Sequence, residues 1–129
     1  MSIESPDLKK LIPLTPAAFN ILLALSDGEK HGYAIMQAIA LRTKGEVRMG
    51  PGTLYGLIKR MLADGWIEEL DERPDPILDD ERRRYYRLSD LGQRVASAEA
   101  ERLASLVAAA RHQGLLPSKD YAIFQLNSA

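Results

Sequence analysis

Apolar positions along the chain fall into three short helical patterns, two strand-like runs and one long helical pattern. The first dozen residues have no clear period and predict a short arm or a fraying helix. Thr15 and Pro16 then supply an N-cap and a first-turn proline. "AAFNILLALSDG" continues apolar on most faces as far as Gly28, so the first helix is expected to be largely buried. A second helix is predicted from about Gly32 to Thr43, with Ile35 and Ile39 one turn apart and Gly45 as its stop. The third begins in "MGPGTLYGLIKRML", where Gly50 is the cap and Pro51 the first helical residue. Leu54, Leu57, Ile58, Met61 and Leu62 recur at i, i+3, i+4, i+7 and i+8, a complete apolar stripe. Thr53, Tyr55, Gly56, Lys59 and Arg60 take the other face, and Asp64-Gly65 ends the helix.

"WIEEL" and "RRYYRLS" carry strand-favouring residues on either side of the acidic, proline-containing stretch "DERPDPILDD". They predict a two-stranded hairpin with a long loop. Ser89 caps a final helix that runs to about Gln113 and stops at Gly114. Such a helix would be about 36 Å long, too long for so small a body to cover. Its stripe of Ala96, Ala100, Leu103, Val107 and Ala110, with Leu106 beside it, has the alternating spacing of a helix–helix seam. The expected fold class is mainly α with a small β-hairpin: a winged helix-turn-helix over residues 1–88, then a C-terminal dimerisation helix and tail over 89–129.

Length and composition alter this picture little. The 129 residues, 46% hydrophobic and 27% charged, suit one soluble domain with an appended element. No apolar run approaches the length of a membrane span, and the N-terminal residues lack the pattern of a signal peptide. With no cysteine there are no disulfides and no thiolate chemistry, in keeping with a cytoplasmic setting.

Charge changes the picture more. The net value of −1 conceals a strong segregation. Arg42 to Arg60 holds five basic residues against one acid, Asp64 to Glu81 nine acids against one base, and Arg82, Arg83, Arg84 and Arg87 follow without an acid. Local field, rather than net charge, governs where a polyanion docks.

The glycines of the third helix do not make a nucleotide site. Gly50, Gly52 and Gly56 are spaced one residue too long for the dinucleotide fingerprint, no strand precedes them, and no G-K-[ST] triplet exists. His31 and His112 lack a metal-ligand spacing and suit surface or cap positions; the acidic stretch lacks the pattern of a calcium loop. No cofactor, metal or enzymatic activity is expected. A nucleic-acid helix, by contrast, needs one face to seat on its core and another carrying donors. Residues 51–64 have both: hydroxyls at Thr53 and Tyr55, clearance at Gly56, and cations at Lys59 and Arg60. An ordinary solvated helix face would look similar. The arginine-rich second strand, with Tyr85 and Tyr86 interleaved, supplies a wing for a phosphate backbone or minor groove. Alternation allows only one set of its side chains outward. The alternative is a winged-helix module that binds protein through the acidic loop.

"HGYAIMQAI", "PGTLYGLIKRMLADGWIE" and "RRYYRLSDLGQR", in this order and spacing, resemble the PadR family of bacterial transcriptional regulators. The resemblance spans about residues 14–111. It implies a homodimeric repressor paired through the C-terminal helix on a palindromic double-stranded operator, with room for a small-molecule effector and no membrane partner. It sets Thr53, Tyr55 and Lys59 on the recognition helix, Gly32 and Tyr33 at the start of the preceding helix near a phosphate, and Arg83, Arg84 and Tyr86 in the wing. Two positions depart from the family: Gly50 stands where a serine is common, and the final helix has no Phe, Tyr or Trp with which drug-binding members sandwich flat ligands.

Overall fold

The computed structural model describes residues 7–70 and 84–117. A 3-10 turn at Leu8–Lys10 leads into α1 (Pro16–Leu25), followed by β1 (Lys30–His31), α2 (Gly32–Arg42) and α3 (Pro51–Ala63). Then come β2 (Ile67–Leu70), β3 (Tyr85–Leu88) and α4 (Asp90–His112). The helix boundaries follow local chemistry. Thr15 Oγ1 accepts from the Ala18 N–H at 3.1 Å, Ser89 Oγ accepts from the Gly92 N–H at 3.0 Å, and Pro16 and Pro51 occupy first turns. Gly65 and Gly114, with φ of +77° and +81°, turn the chain out of α3 and α4.

Ile21 and Leu22 of α1, Ile35 and Ile39 of α2, and Leu54, Ile58 and Met61 of α3 form the core, closed by Ile67, Tyr86 and Val95. Each buried aliphatic side chain contributes roughly 1.5–3 kcal/mol relative to exposure. The α3 stripe seats as its spacing predicts, with Leu54 and Ile58 sealed and Leu57 and Leu62 at the margins.

The expected two-stranded hairpin has a third member. β1 adds to the outer edge of β3, giving an antiparallel sheet in the order β1-β3-β2 with Lys30 opposite Tyr86 and His31 opposite Tyr85. Two residues are too few for a strand period to register in sequence. The expected acidic loop, with Arg82 and Arg83, lies outside the described residues.

α4 divides in two. Its first turns pack on α1, β3 and the 3-10 turn, with Gly92, Val95 and Glu99 buried and Leu91 and Ala96 against the core. Further along, Leu106 and Val107 are 57% and 42% exposed. At about 1.5 Å per residue the helix is about 35 Å long.

Candidate nucleic-acid interface

α3 stands on the core by Leu54, Ile58 and Met61, and helical geometry turns Gly52, Gly56 and Lys59 directly away from them. Thr53 and Arg60 flank that ridge on one side and Tyr55 on the other. All six are exposed. At Gly52 and Gly56 no described atom lies within 4 Å of where a methyl group would stand. Nothing among the described residues therefore requires glycine at either place. Glycine in a helix interior costs about 0.8–1.0 kcal/mol relative to alanine. The result is a ridge bare of side chains for a full turn, bordered by hydroxyls and cations.

Tyr55 is held rather than free. A methyl group at Gly32 would lie 2.3 Å from Tyr55 Oη, so the phenol rests on the first residue of α2. Gly32 itself is buried. Its place in the site is thus to admit Tyr55, which links the N-terminus of α2 to the exposed face of α3. Tyr33, the next residue, is exposed beside that N-terminus, where unpaired amides favour an anion.

His31 orders this corner. Its Nδ1 accepts from the Ala34 N–H at 3.1 Å and so caps α2. The ring stacks near Tyr33 (centroids 6.5 Å) and meets Tyr85 edge-on at 5.3 Å, fastening the sheet to the helix-turn-helix. A cap histidine fits the sequence expectation; its contact with the wing does not follow from spacing. Thr43, expected only as the end of α2, also organises the next connection. Its Oγ1 accepts from the Val47 N–H at 3.0 Å and donates to the Ile39 carbonyl at 2.9 Å, pinning the connection that sets α3 against α2. A lone threonine at a helix end carries no signal of that role.

The wing requires a correction. Tyr86, expected to face DNA, is only 4% exposed and belongs to the core; burial pushes its phenol up from the ordinary value. Strand alternation puts it inward and leaves Arg87 outward. Arg84 is exposed at the strand's start but donates to Glu69 at 3.1 Å, and Arg87 Nε donates to Glu68 at 3.2 Å. Both acids come from β2. Exposed pairs of this kind are worth about 0–1 kcal/mol, so a phosphate can displace the carboxylate. Arg83 lies outside the described residues.

The seam residues are also sorted. Ala96 is half-buried against its own core, Leu103 and Ala110 are half-buried, and Ala100, Leu106 and Val107 are exposed. Glu99, one turn beyond Val95 and 2% exposed, was not anticipated. Its carboxylate accepts from Arg102 Nε and Nη2 at 2.7 and 2.8 Å, and the nearby Leu14 backbone amide also favours its charged form. The Arg102 hydrogen bonds hold its carboxyl below the usual glutamate range against the opposing effect of burial.

A joint connects α3 to α4. Ser89 Oγ donates to the Gly65 carbonyl at 2.5 Å, while the Ser89 N–H donates to the Trp66 carbonyl at 3.0 Å. Gly92 packs so closely that a methyl group there would lie 1.9 Å from the Trp66 oxygen.

No group of three or more potential metal ligands occurs among the described residues. No helix among them is long and apolar enough to cross a membrane.

Comparison with known proteins agrees with this geometry. Residues 21–98 match the model of the transcriptional regulator PadR-like family. A 37.1 kDa protein of transposon TN4556 from Streptomyces fradiae is 37% identical over 86 residues, which is 67% of this chain; the match spans only 22% of that longer protein. A PadR family transcription regulator from Clostridium difficile superposes with a TM-score of 0.61 at 21% identity, covering 74% of this chain and 94% of the other. Bacillus subtilis PadR, solved in complex with operator DNA, superposes with a TM-score of 0.55 at 20% identity, covering 65% and 46%. With its helix-turn-helix, its three-stranded wing and a family match over more than half its length, the chain belongs to the PadR-like family of transcriptional regulators.

Proposed function

We propose that the protein is a homodimeric repressor that binds a palindromic operator, with α3 in the major groove and the wing on the adjacent backbone. The observation that carries this reading is the bare ridge of Gly52 and Gly56. Two glycines a turn apart on the outward face weaken the helix and serve no contact within the described structure. Close approach of an outside surface gives them a purpose. Thr53, Tyr55 and Lys59 border the ridge within reach of base edges and phosphates, and Arg60 extends its cationic flank. Tyr33 and the first amides of α2 serve a phosphate. Arg84 exchanges Glu69 for the backbone. The exposed Leu106 and Val107 pair with a second copy, placing the half-sites about 34 Å apart.

Selection of duplexes from a random pool by the purified protein tests this directly. The expected outcome is an inverted repeat with that spacing, bound by a dimer in sedimentation. Affinity should fall steeply with salt, and Lys59→Ala should reduce the salt slope by about 1. Enrichment of no motif, or duplex binding insensitive to salt, overturns the reading.

A further inference from the structure

The outer half of α4 carries more apolar surface than one neighbour covers. Successive helical residues project about 100° apart, so the exposed Leu106 and Val107 belong to different faces. Leu106 continues the line of Val95, Glu99 and Arg102, at i, i+4, i+7 and i+11. Val107 lies on the line of Ala100, Ala104 and Arg111, and both alanines are exposed. A second copy approaching from the Leu106 side reaches Val107 only at the edge of its contact. The chain itself turns toward the remaining line. After α4, Gly114 takes a φ of +81° and the Leu115 N–H donates to the Ala110 carbonyl at 2.8 Å, which reverses the backbone. Arg111 Nε then donates to the Pro117 carbonyl at 2.9 Å, so the last described residue is tied back to a side chain on the Val107 line. Leu115 and Leu116 are exposed in this return. The sequence continues as "SKDYAIFQLNSA", with Tyr121, Ile123, Phe124 and Leu126 within six positions.

From this reversal and the uncovered line we infer that residues 118–126, which lie outside the described residues, dock on α4 of their own protomer, with the apolar side chains between Tyr121 and Leu126 against Ala104 and Val107. The reach is sufficient. Ala104 stands seven residues before Arg111, about 10 Å along the helix, and five residues of chain beyond Pro117 span up to about 17 Å when extended. The alanines leave room for the rings of Tyr121 and Phe124, which bring to this face the large apolar area that aromatic side chains bury. A second copy could offer its own α4 or its own tail to the same line. The Gly114 turn and the Arg111–Pro117 hydrogen bond favour the chain's own segment, because both are made within one protomer and both precede it directly. The inference does not rest on the operator reading, and it leaves Leu106 to the second copy.

The chain has no cysteine, so introduced pairs report proximity without background. In the full chain, Ala104→Cys with Ala122→Cys should form an intrachain disulfide under mild oxidation about tenfold faster than Ser105→Cys with Ala122→Cys, because docking raises the local thiol concentration on one face only. Ala104 and Ser105 are both exposed, so neither cysteine enters the core and the two pairs differ in the face they probe. Adding Phe124→Ser to the first pair should slow closure severalfold while circular dichroism stays unchanged. Equal rates for the two pairs, or no slowing by Phe124→Ser, would overturn the docking. A disulfide that joins two chains, seen as a dimer band on a non-reducing gel, would overturn the assignment to the same protomer. A fast intrachain disulfide in a protein that sediments as a monomer would leave the docking standing and overturn the pairing of α4 with a second copy.

Discussion

Gly92 and Gly56 are the same residue in the same kind of helix, yet their surroundings are opposite. A methyl group on Gly92 would press to 1.9 Å from the Trp66 carbonyl oxygen, whereas one on Gly56 would meet nothing within 4 Å. The first glycine is explained by the fold. The second is not explained by any contact within the described structure. Where the interior leaves a helical glycine without cause, function is the remaining place to look, and under the proposed operator reading the interface would run along the Gly52–Gly56 ridge.

The largest effect should come from the joint. Gly92→Ala forces backbone against backbone, so α4 must lift from the β2 turn, at a cost of about 3 kcal/mol or more in urea unfolding. A cost below about 1 kcal/mol would mean that the joint is soft and the contrast shallow.

The ridge should respond in the opposite sense. Gly56→Ala should stabilise the fold by up to about 1 kcal/mol through helix propensity while weakening operator binding about tenfold, or about 1.4 kcal/mol. A stabilised variant that binds as tightly as the parent would show that no surface approaches there. Gly52→Ala, in the first turn, should follow with a smaller gain in stability.

Gly32 lies between these extremes because its neighbour is the end of a side chain. Gly32→Ala should displace Tyr55 rather than any backbone, so the melting temperature should move little and operator affinity should fall a few-fold. A loss of stability as large as that of Gly92→Ala would show that Tyr55 cannot yield.

The smallest effect concerns pH and the joint side of the comparison. Glu99 has its folded pKa lowered by Arg102, so the unfolded chain takes up the proton first. Its contribution to stability is therefore present above the ordinary glutamate value and is lost as pH falls through the lowered one. Glu99→Gln should flatten this part of the stability–pH curve; a curve unchanged by the substitution would remove Glu99 from the account.

Much of this was legible because local chemistry decides it. Thr15, Pro16, Pro51, Ser89 and Gly114 act on backbone groups within a few residues, so caps and stops can be recognised without tertiary knowledge. The α3 stripe was equally plain, since one face must seat on a core. What sequence hid depends on elements meeting. β1 becomes a strand only because β3 lies beside it, and Tyr86 turns inward because the sheet packs on α1. Glu99 sits where an apolar residue would be expected, and its i+3 arginine looks like any surface pair until the Leu14 amide arrives. Gly32 and Gly92 are indistinguishable in sequence from Gly52 and Gly56; only their neighbours separate them.

The Ser89 joint also has a mechanical consequence. Beyond Glu99, the last buried residue of α4, the helix projects as a lever of about 20 Å, so a change of about 5° where it leaves the core carries the far end through about 2 Å. Summed over two protomers, that is close to the rise of one base pair. For two copies paired through α4, the angular play left by one hydroxyl and one glycine would limit how far the separation of paired recognition helices can stray from a turn of DNA. A few tenths of an ångström at Gly65 and Trp66 would decide whether a half-site spacing wrong by one base pair is tolerated or refused.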